Sequence, residues 1–317
     1  MISCTEFIPS YSELFSFLDE NFGGHAEVER FWDYLFKPDG KGIPLINFAK
    51  KNGLRGCWDY STGTLTEEAA DVTRYFNEKG GWIHSEMHYC PSKGRLLEYE
   101  KTIGLKPYYD YCGHCDYYRS AYDLVGLKYF RNHMNVSRAS CSMDTIDPKV
   151  FRGVQVFDEN TVVMEIRSKD REYFHPDFHS SLNMGLHYLA TVHGEKALRD
   201  YLIRFTKNVY KPVIEKLATD PLGAIEEKLR WTYEAEKCPD ALTVTRTEKG
   251  MEVRVAYCPA VRHLKETGRE VSPWFALSTS VVMETLAEAA GLDFVMESYD
   301  TETGRAVYRF EQKEREA

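Results

Sequence analysis

Residues 241–259 read ALTVTRTEKGMEVRVAYCP, and their pattern decides the fold. Ala241 to Thr247 and Met251 to Tyr257 alternate apolar and polar side chains, the period of a strand with one buried face. Glu248-Lys249-Gly250 between them supplies a turn, so the stretch predicts a β-hairpin. Pro259 has no N–H to give a ladder; it ends the second strand and opens a short helix. The pattern occurs once more upstream. Val72-Thr73-Arg74, Glu78-Lys79-Gly80 and Tyr89-Cys90-Pro91 parallel Val244-Thr245-Arg246, Glu248-Lys249-Gly250 and Tyr257-Cys258-Pro259.

Working outward, the parallel continues on both sides. Phe17-Leu18, Phe22-Gly23 and Asp33-Tyr34 match Tyr188-Leu189, His193-Gly194 and Asp200-Tyr201, and Gly126-Leu127 matches Gly291-Leu292. The matches keep one order at offsets of about 165 to 172 residues, which reads as a tandem duplication. Residues 1–148 form the first copy, 149–168 a connecting hairpin turning at Asp158-Glu159-Asn160, and 169–317 the second copy. Phe178, Leu182, Leu186 and Leu189 have helical spacing, and Gly194 breaks that helix. One helix is expected over Glu195–Leu217 and another after the Asp220-Pro221 cap, reaching about Glu236. A helix led by Ser272-Pro273 closes at Gly291, and Leu292–Tyr299 with Ala306–Phe310 forms a last hairpin. The fold class is therefore α+β, each half packing helices on a four-stranded antiparallel sheet.

The chain has 317 residues, 43% of them hydrophobic and 28% charged, as a globular protein of about two domains does. Its formal charge of -9, with no basic run, argues against nucleic acid as a partner. No apolar run nears the roughly 20 residues that span a bilayer, so no membrane partner is expected. Met1–Asn21 lacks the basic-then-apolar pattern of a secretory signal, so the expected location is the cytoplasm, where thiols stay reduced. The expected partner is a small-molecule substrate, and a homo-oligomer is left open.

Chemistry concentrates in residues 82–141, which carry His84, Glu86, His88, Cys90, Cys112, His114, Cys115, His133 and Cys141. Three chemistries fit. Cys112 and Cys115 have the spacing of half a zinc knuckle, with His88 and Cys90 as a second pair if they share a strand face. Cys90, Cys112, Cys115 and Cys141 together suit an iron–sulfur cluster. A nucleophile needs a thiolate beside an imidazole, and Cys90 or Cys112 with His88 or His114 supplies both, Glu86 orienting His88. A helix start near Cys112 would hold such a thiolate ionised close to neutral pH. A disulfide-exchange site is disfavoured, because Lys106–Asp110 is not the apolar strand that such a Cys-Gly-His-Cys follows. Core filling accounts for any one of these residues equally well. Tyr111 and Tyr118 head a tyrosine-rich stretch able to line a ligand pocket, and His175 with His179 frames the first turn of a second-half helix.

The second half, about Tyr173 to Gln312, resembles the L-2-amino-thiazoline-4-carboxylic acid hydrolase family. The resemblance rests on the helical first part, the strand ending Val255-Ala256-Tyr257-Cys258-Pro259, the helix ended by Gly291 and the final hairpin. It implies a small-molecule hydrolase opening a ring or cleaving an amide or amidine C–N bond. A Cys thiolate or a zinc-bound water would attack, with His88 or His114 moving the proton. Cys112-Gly113-His114-Cys115 is replaced in the second copy by Leu277-Ser278-Thr279-Ser280, so the first copy would be the active one. The rival reading is a non-catalytic protein that holds zinc or an iron–sulfur cluster.

Overall fold

A computed structural model describes residues 1–36 and 44–313. The two halves run through similar but unequal element orders, with two helices between the π-helical turn and the first hairpin in one and three in the other. The first pass is α1 (Phe7–Leu18), a π-helical turn (Asp19–Gly23), α2 (His25–Leu35), α3 (Leu45–Glu67), β1 (Asp71–Asn77), β2 (Trp82–Tyr89), α4 (Pro91–Ile103), α5 (Tyr118–Asp123), β3 (Lys128–Asn135) and β4 (Ser140–Ile146). β5 (Val162–Ile166) follows. The second pass is α6 (Phe178–Tyr188), a π-helical turn (Leu189–His193), α7 (Glu195–Val209), α8 (Lys211–Leu217), α9 (Pro221–Ala235), β6 (Leu242–Arg246), β7 (Gly250–Val255), α10 (Pro259–Glu266), α11 (Leu277–Ala289), β8 (Leu292–Tyr299) and β9 (Ala306–Gln312).

The fold is α+β, with two antiparallel sheets. Their strand orders correspond: β3-β4-β2-β1 in one, β8-β9-β7-β6 in the other. A bulge falls at Arg131/His133 in the first sheet and at Met296/Ser298 in the second. Cys90 N–H donates to Ala139 O in the β3–β4 turn at 2.6 Å, and Cys258 N–H to Thr303 O in the β8–β9 turn at 2.9 Å.

Three expectations change. The connecting hairpin is a single strand. Only β5 forms, and it pairs with β1 as a fifth strand. Residues ahead of it are held by side chains instead: the Asn77 amide donates to Val156 O, Asp158 and Thr161. The helix expected over Glu195–Leu217 breaks at Tyr210, because Pro212 has no N–H for the helical ladder. The helix after Ser272-Pro273 starts only at Leu277, with Phe275 in the turn before it.

The chain divides into two compact units. The first comprises residues 18–101 and 106–175; the second comprises residues 1–17, 102–105 and 176–317. In the first unit, buried Arg74 ties α3 to the sheet. Its guanidinium donates to Thr62, Ser61 and Ser85 and lies 4.4 Å from the Trp58 ring. Residues 1–17 fold in the second unit, although the sequence repeat groups them with the first copy. The apolar face of α1 is the cause: Phe7 stacks on Phe178 at 4.4 Å, and Tyr201 OH donates to Ser10 O at 2.8 Å.

One glycine of the second unit has no substitute. Gly304 turns the β8–β9 hairpin at φ 66°, and a Cβ there would run into Cys258. Gly304→Ala is expected to cost about 2 kcal/mol, from left-handed strain plus the clash. Urea unfolding at fixed slope reads this directly, and an unchanged midpoint would refute it.

Candidate functional site

The site of the first unit is built where β2 ends. Along β2 the side chains alternate between two sheet faces. Met87 pairs in register with Cys141, and Met87 packs with Ala70, Val72 and Ile166. Cys90 and Cys141 pack against this same cluster. Cys90 lies one residue beyond the strand, where the chain turns into α4, and its Sγ accepts the Lys93 N–H at 3.4 Å. Cys112 and Cys115 ride on a 3₁₀ turn, Tyr111–Tyr117. Arg131 of β3 pins that turn, donating to Cys112 O at 2.6 Å and to Asp116 at 2.5 Å.

Four of the expected residues are thereby brought together. Cys90 feels the charges of Cys115, Cys141 and Cys112, and Cys141 those of Cys115 and Cys112. All four are half-buried and reduced. No three of them place their sulfurs within 4.8 Å of one another; among the described residues only Cys4, His179 and Glu236 form a donor group that tight.

Within the cluster one thiol has a base. Cys115 Sγ lies 3.6 Å from His114 Nε2, and His114 Nδ1 lies 2.5 Å from Tyr111 O. A carbonyl only accepts, so Nδ1 carries the ring proton and Nε2 offers its lone pair to the Cys115 S–H. The imidazole is thus fixed in rotation and tautomer, as a base acting on a nucleophile needs to be. Burial lowers the His114 pKa, which keeps the ring neutral.

The thiols are not ionised as the sequence suggested. Burial, then the Cys115 thiol, push Cys112 up to about 11, and burial holds Cys115 and Cys141 at about 12. Cys90 rises well above the ordinary thiol range for the same reasons. Tyr111–Tyr117 is a tight 3₁₀ turn leading into the six-residue α5, so there is no long helix dipole to favour a thiolate. Any proton leaving a thiol here must go to a base during reaction.

Sequence reasoning missed Glu68, just past the end of α3. Burial raises its carboxyl, while His175, Arg95 and His114 partly offset this. It contributes to the fields at Cys115 and Tyr118 as well. A carboxyl raised towards its protonated form near a thiol and an imidazole is suited to donating a proton. Its position C-terminal to a long helix gave no local signal.

The remaining expected residues lie apart from the thiols or play other parts. His88 and Glu86 sit on the opposite sheet face from Met87 and are exposed. His88 Nε2 hydrogen-bonds Thr73 Oγ1 at 2.8 Å, and Glu86 lies 3.5 Å from His84. His84 is bound more tightly to Asp144, at 2.6 Å. His88 and Cys90 therefore do not share a face, because the strand ends between them and the chain turns. Tyr111 is buried and contributes its carbonyl; its ring meets His114 edge-on at 5.1 Å. Tyr118 is half-buried, edge-on to Phe36 at 5.0 Å. His175, the last residue of this unit, contacts Glu67 at 2.6 Å.

His179 belongs to the second unit, on the buried side of α6. Its Nε2 meets Glu236 Oε2 at 2.9 Å, and the other Glu236 oxygen accepts the Cys4 N–H at 2.6 Å. Burial alone would raise the Glu236 carboxyl, but the charge and hydrogen bond of His179, with the Cys4 N–H, outweigh it and hold it at about 2.

Comparison of the chain with protein families, curated proteins and solved structures finds no match. Among the described residues no helix is long and apolar enough to cross a membrane.

Proposed function

We propose that the first unit is a small-molecule hydrolase of C–N bonds, with Cys115 as nucleophile and His114 as its base. One observation carries this reading: the Cys115 thiol faces an imidazole nitrogen whose partner nitrogen is locked on the Tyr111 carbonyl. Cys115 Sγ would attack the carbon of an amide or cyclic amidine as its proton passes to His114 Nε2. The C–N bond then breaks, and the nitrogen leaves with a proton from His114 or Glu68. Water, deprotonated by His114, releases the acyl or amidino group from sulfur. Cys90, Cys112, Cys141 and Tyr118 border the reacting sulfur.

The sequence resemblance to the amino-thiazoline carboxylic acid hydrolase family supports this reading, and so does the replacement of Cys112-Gly113-His114-Cys115 by Leu277-Ser278-Thr279-Ser280 in the second half. Reduced thiols fit a cytoplasmic protein.

The test is turnover of cyclic amidines and small amides. His114→Ala is expected to slow the parent by about 10²-fold, the usual contribution of a positioned base. His88→Ala, on the other sheet face, is expected to leave turnover unchanged. A parent that hydrolyses none of these substrates ends the reading, as does equal activity of His114→Ala.

A second reading has its own observation: thiols from three separate segments, Cys90, Cys112/Cys115 and Cys141, converge. Such a set, spread wider than a zinc shell, would hold an iron–sulfur cluster without catalysis. Iron and acid-labile sulfide in protein purified without oxygen, absent from Cys112→Ser, would favour it over hydrolysis.

A further inference from the structure

The second unit carries a polar group that neither reading uses. Cys4, His179 and Glu236 offer donor atoms that all lie within 4.8 Å of one another. They come from the N-terminal segment, α6 and the end of α9, with exposures of 1%, 1% and 5%. His179 Nδ1 is buried and has no hydrogen-bond partner. Leaving a buried polar nitrogen unsatisfied costs about 1–3 kcal/mol, so the arrangement calls for an explanation.

We propose that Cys4, His179 and Glu236 form a binding site for a zinc-class divalent cation, independent of the thiol cluster in the first unit.

The donor chemistry selects the ion. One sulfur, one imidazole and one carboxylate are the mixed set that zinc accepts, and three protein donors leave its fourth tetrahedral position for water. A calcium- or magnesium-type ion would call for oxygen donors throughout. The charge balance also fits a buried place. A Cys4 thiolate and the Glu236 carboxylate carry two negative charges, which a divalent cation cancels. The adjoining pair, Lys228 with Glu6 at 2.8 Å, is neutral by itself. Binding releases to solvent the protons that the donor atoms hold, so that the sulfur joins as thiolate and the imidazole as the neutral ring. The carboxylate needs no deprotonation, since it is already ionised at neutral pH.

The set is assembled by the fold. Cys4 is bound through its N–H to Glu236, 232 residues away, and Glu236 in turn fixes His179. Removing the ion would leave the carboxylate–imidazole contact in place, so the unit stays folded as a preformed site.

The test uses the full chain expressed in zinc-supplemented medium, with metal counted per chain. The Cys112→Ser/Cys115→Ser double variant removes two of the four clustered thiols of the first unit and is expected to retain one zinc. X-ray absorption at the zinc edge of that variant is expected to show nitrogen and oxygen donors with a single sulfur. Cys4→Ser in the otherwise natural chain is expected to hold one zinc fewer than its parent. Three outcomes overturn the proposal: no zinc in the double variant, a shell with more than one sulfur there, or an unchanged count in Cys4→Ser. Should Cys4→Ser fail to fold, the sulfur count in the double variant still decides. Loss of C–N hydrolysis in any variant bears only on the first unit.

Discussion

Replacing Lys228 by methionine is expected to cost about 3–5 kcal/mol of stability in the second unit, the cost of breaking a buried ion pair from one side. Lys228 and Glu6 are each about 5% exposed, with Nζ 2.8 Å from Oε1. Nζ also donates to Thr232 Oγ1 at 2.9 Å and lies 4.4 Å from the rings of Tyr210 and Trp231. Glu6 Oε2 accepts from Ser3 N–H and from Tyr210 OH, each at 3.0 Å. Methionine keeps the length and apolar body of lysine, so packing is largely retained. What is lost is the charge that compensates Glu6. The Glu6→Gln/Lys228→Met double variant is therefore expected to be more stable than the sum of its single losses, by about 1–3 kcal/mol of coupling. Urea unfolding of the four proteins closes the cycle. A Lys228→Met loss below about 1 kcal/mol would mean that water reaches the pair.

The second large effect is a pH dependence. Glu236 is held at about 2 in the folded chain against an ordinary 4.5. A carboxyl depressed on folding stabilises above its unfolded pKa, and that contribution disappears as pH falls through the folded value. The window here runs from about 4.5 down to about 2. At about 1.4 kcal/mol per pH unit, it holds about 3 kcal/mol. Glu236→Gln should lose up to that amount at neutral pH and should flatten the acid side of the stability curve. Chelator-treated protein, unfolded by urea from pH 7 to pH 2, gives both readouts with no metal ion contributing. Parallel curves for Glu236→Gln and its parent would show that Glu236 is not ionised in the core.

The two effects converge on one region, and they distinguish it from the thiol site. Around the thiols of the first unit the titratable groups are pushed towards their neutral forms: thiols upward, the Glu68 carboxyl upward and the His114 imidazole downward. In the second unit Glu236 is pushed towards its charged form. Neutral nucleophile, base and acid suit proton transfer during a reaction. Fixed charges in a closed core suit a stabilising pair or a cation.

The sequence by itself determined the α+β class and the main helices and hairpins. Two-residue alternation around Glu248-Lys249-Gly250 made the β6–β7 hairpin, and 3.6-residue spacing from Phe178 to Leu189 made α6, because these periods are local. The Cys-Pro steps at Cys90 and Cys258 marked the ends of matching strands, since proline cannot extend a ladder. Order along the chain placed Cys90, Cys112 and Cys115 in one neighbourhood, but not how far apart their sulfurs lie. Only the tertiary structure decided which thiol has a base, because the distance from Cys115 to His114 depends on how Arg131 and Tyr111 hold a 3₁₀ turn. It alone separated His88 from Cys90, through a turn one residue past a strand end. It alone placed residues 1–17 in the second unit and joined Cys4 to Glu236 across 232 positions. Sequence periodicity reports which face of an element is apolar. Which other element covers that face, and which buried charge meets which partner, is settled only by packing.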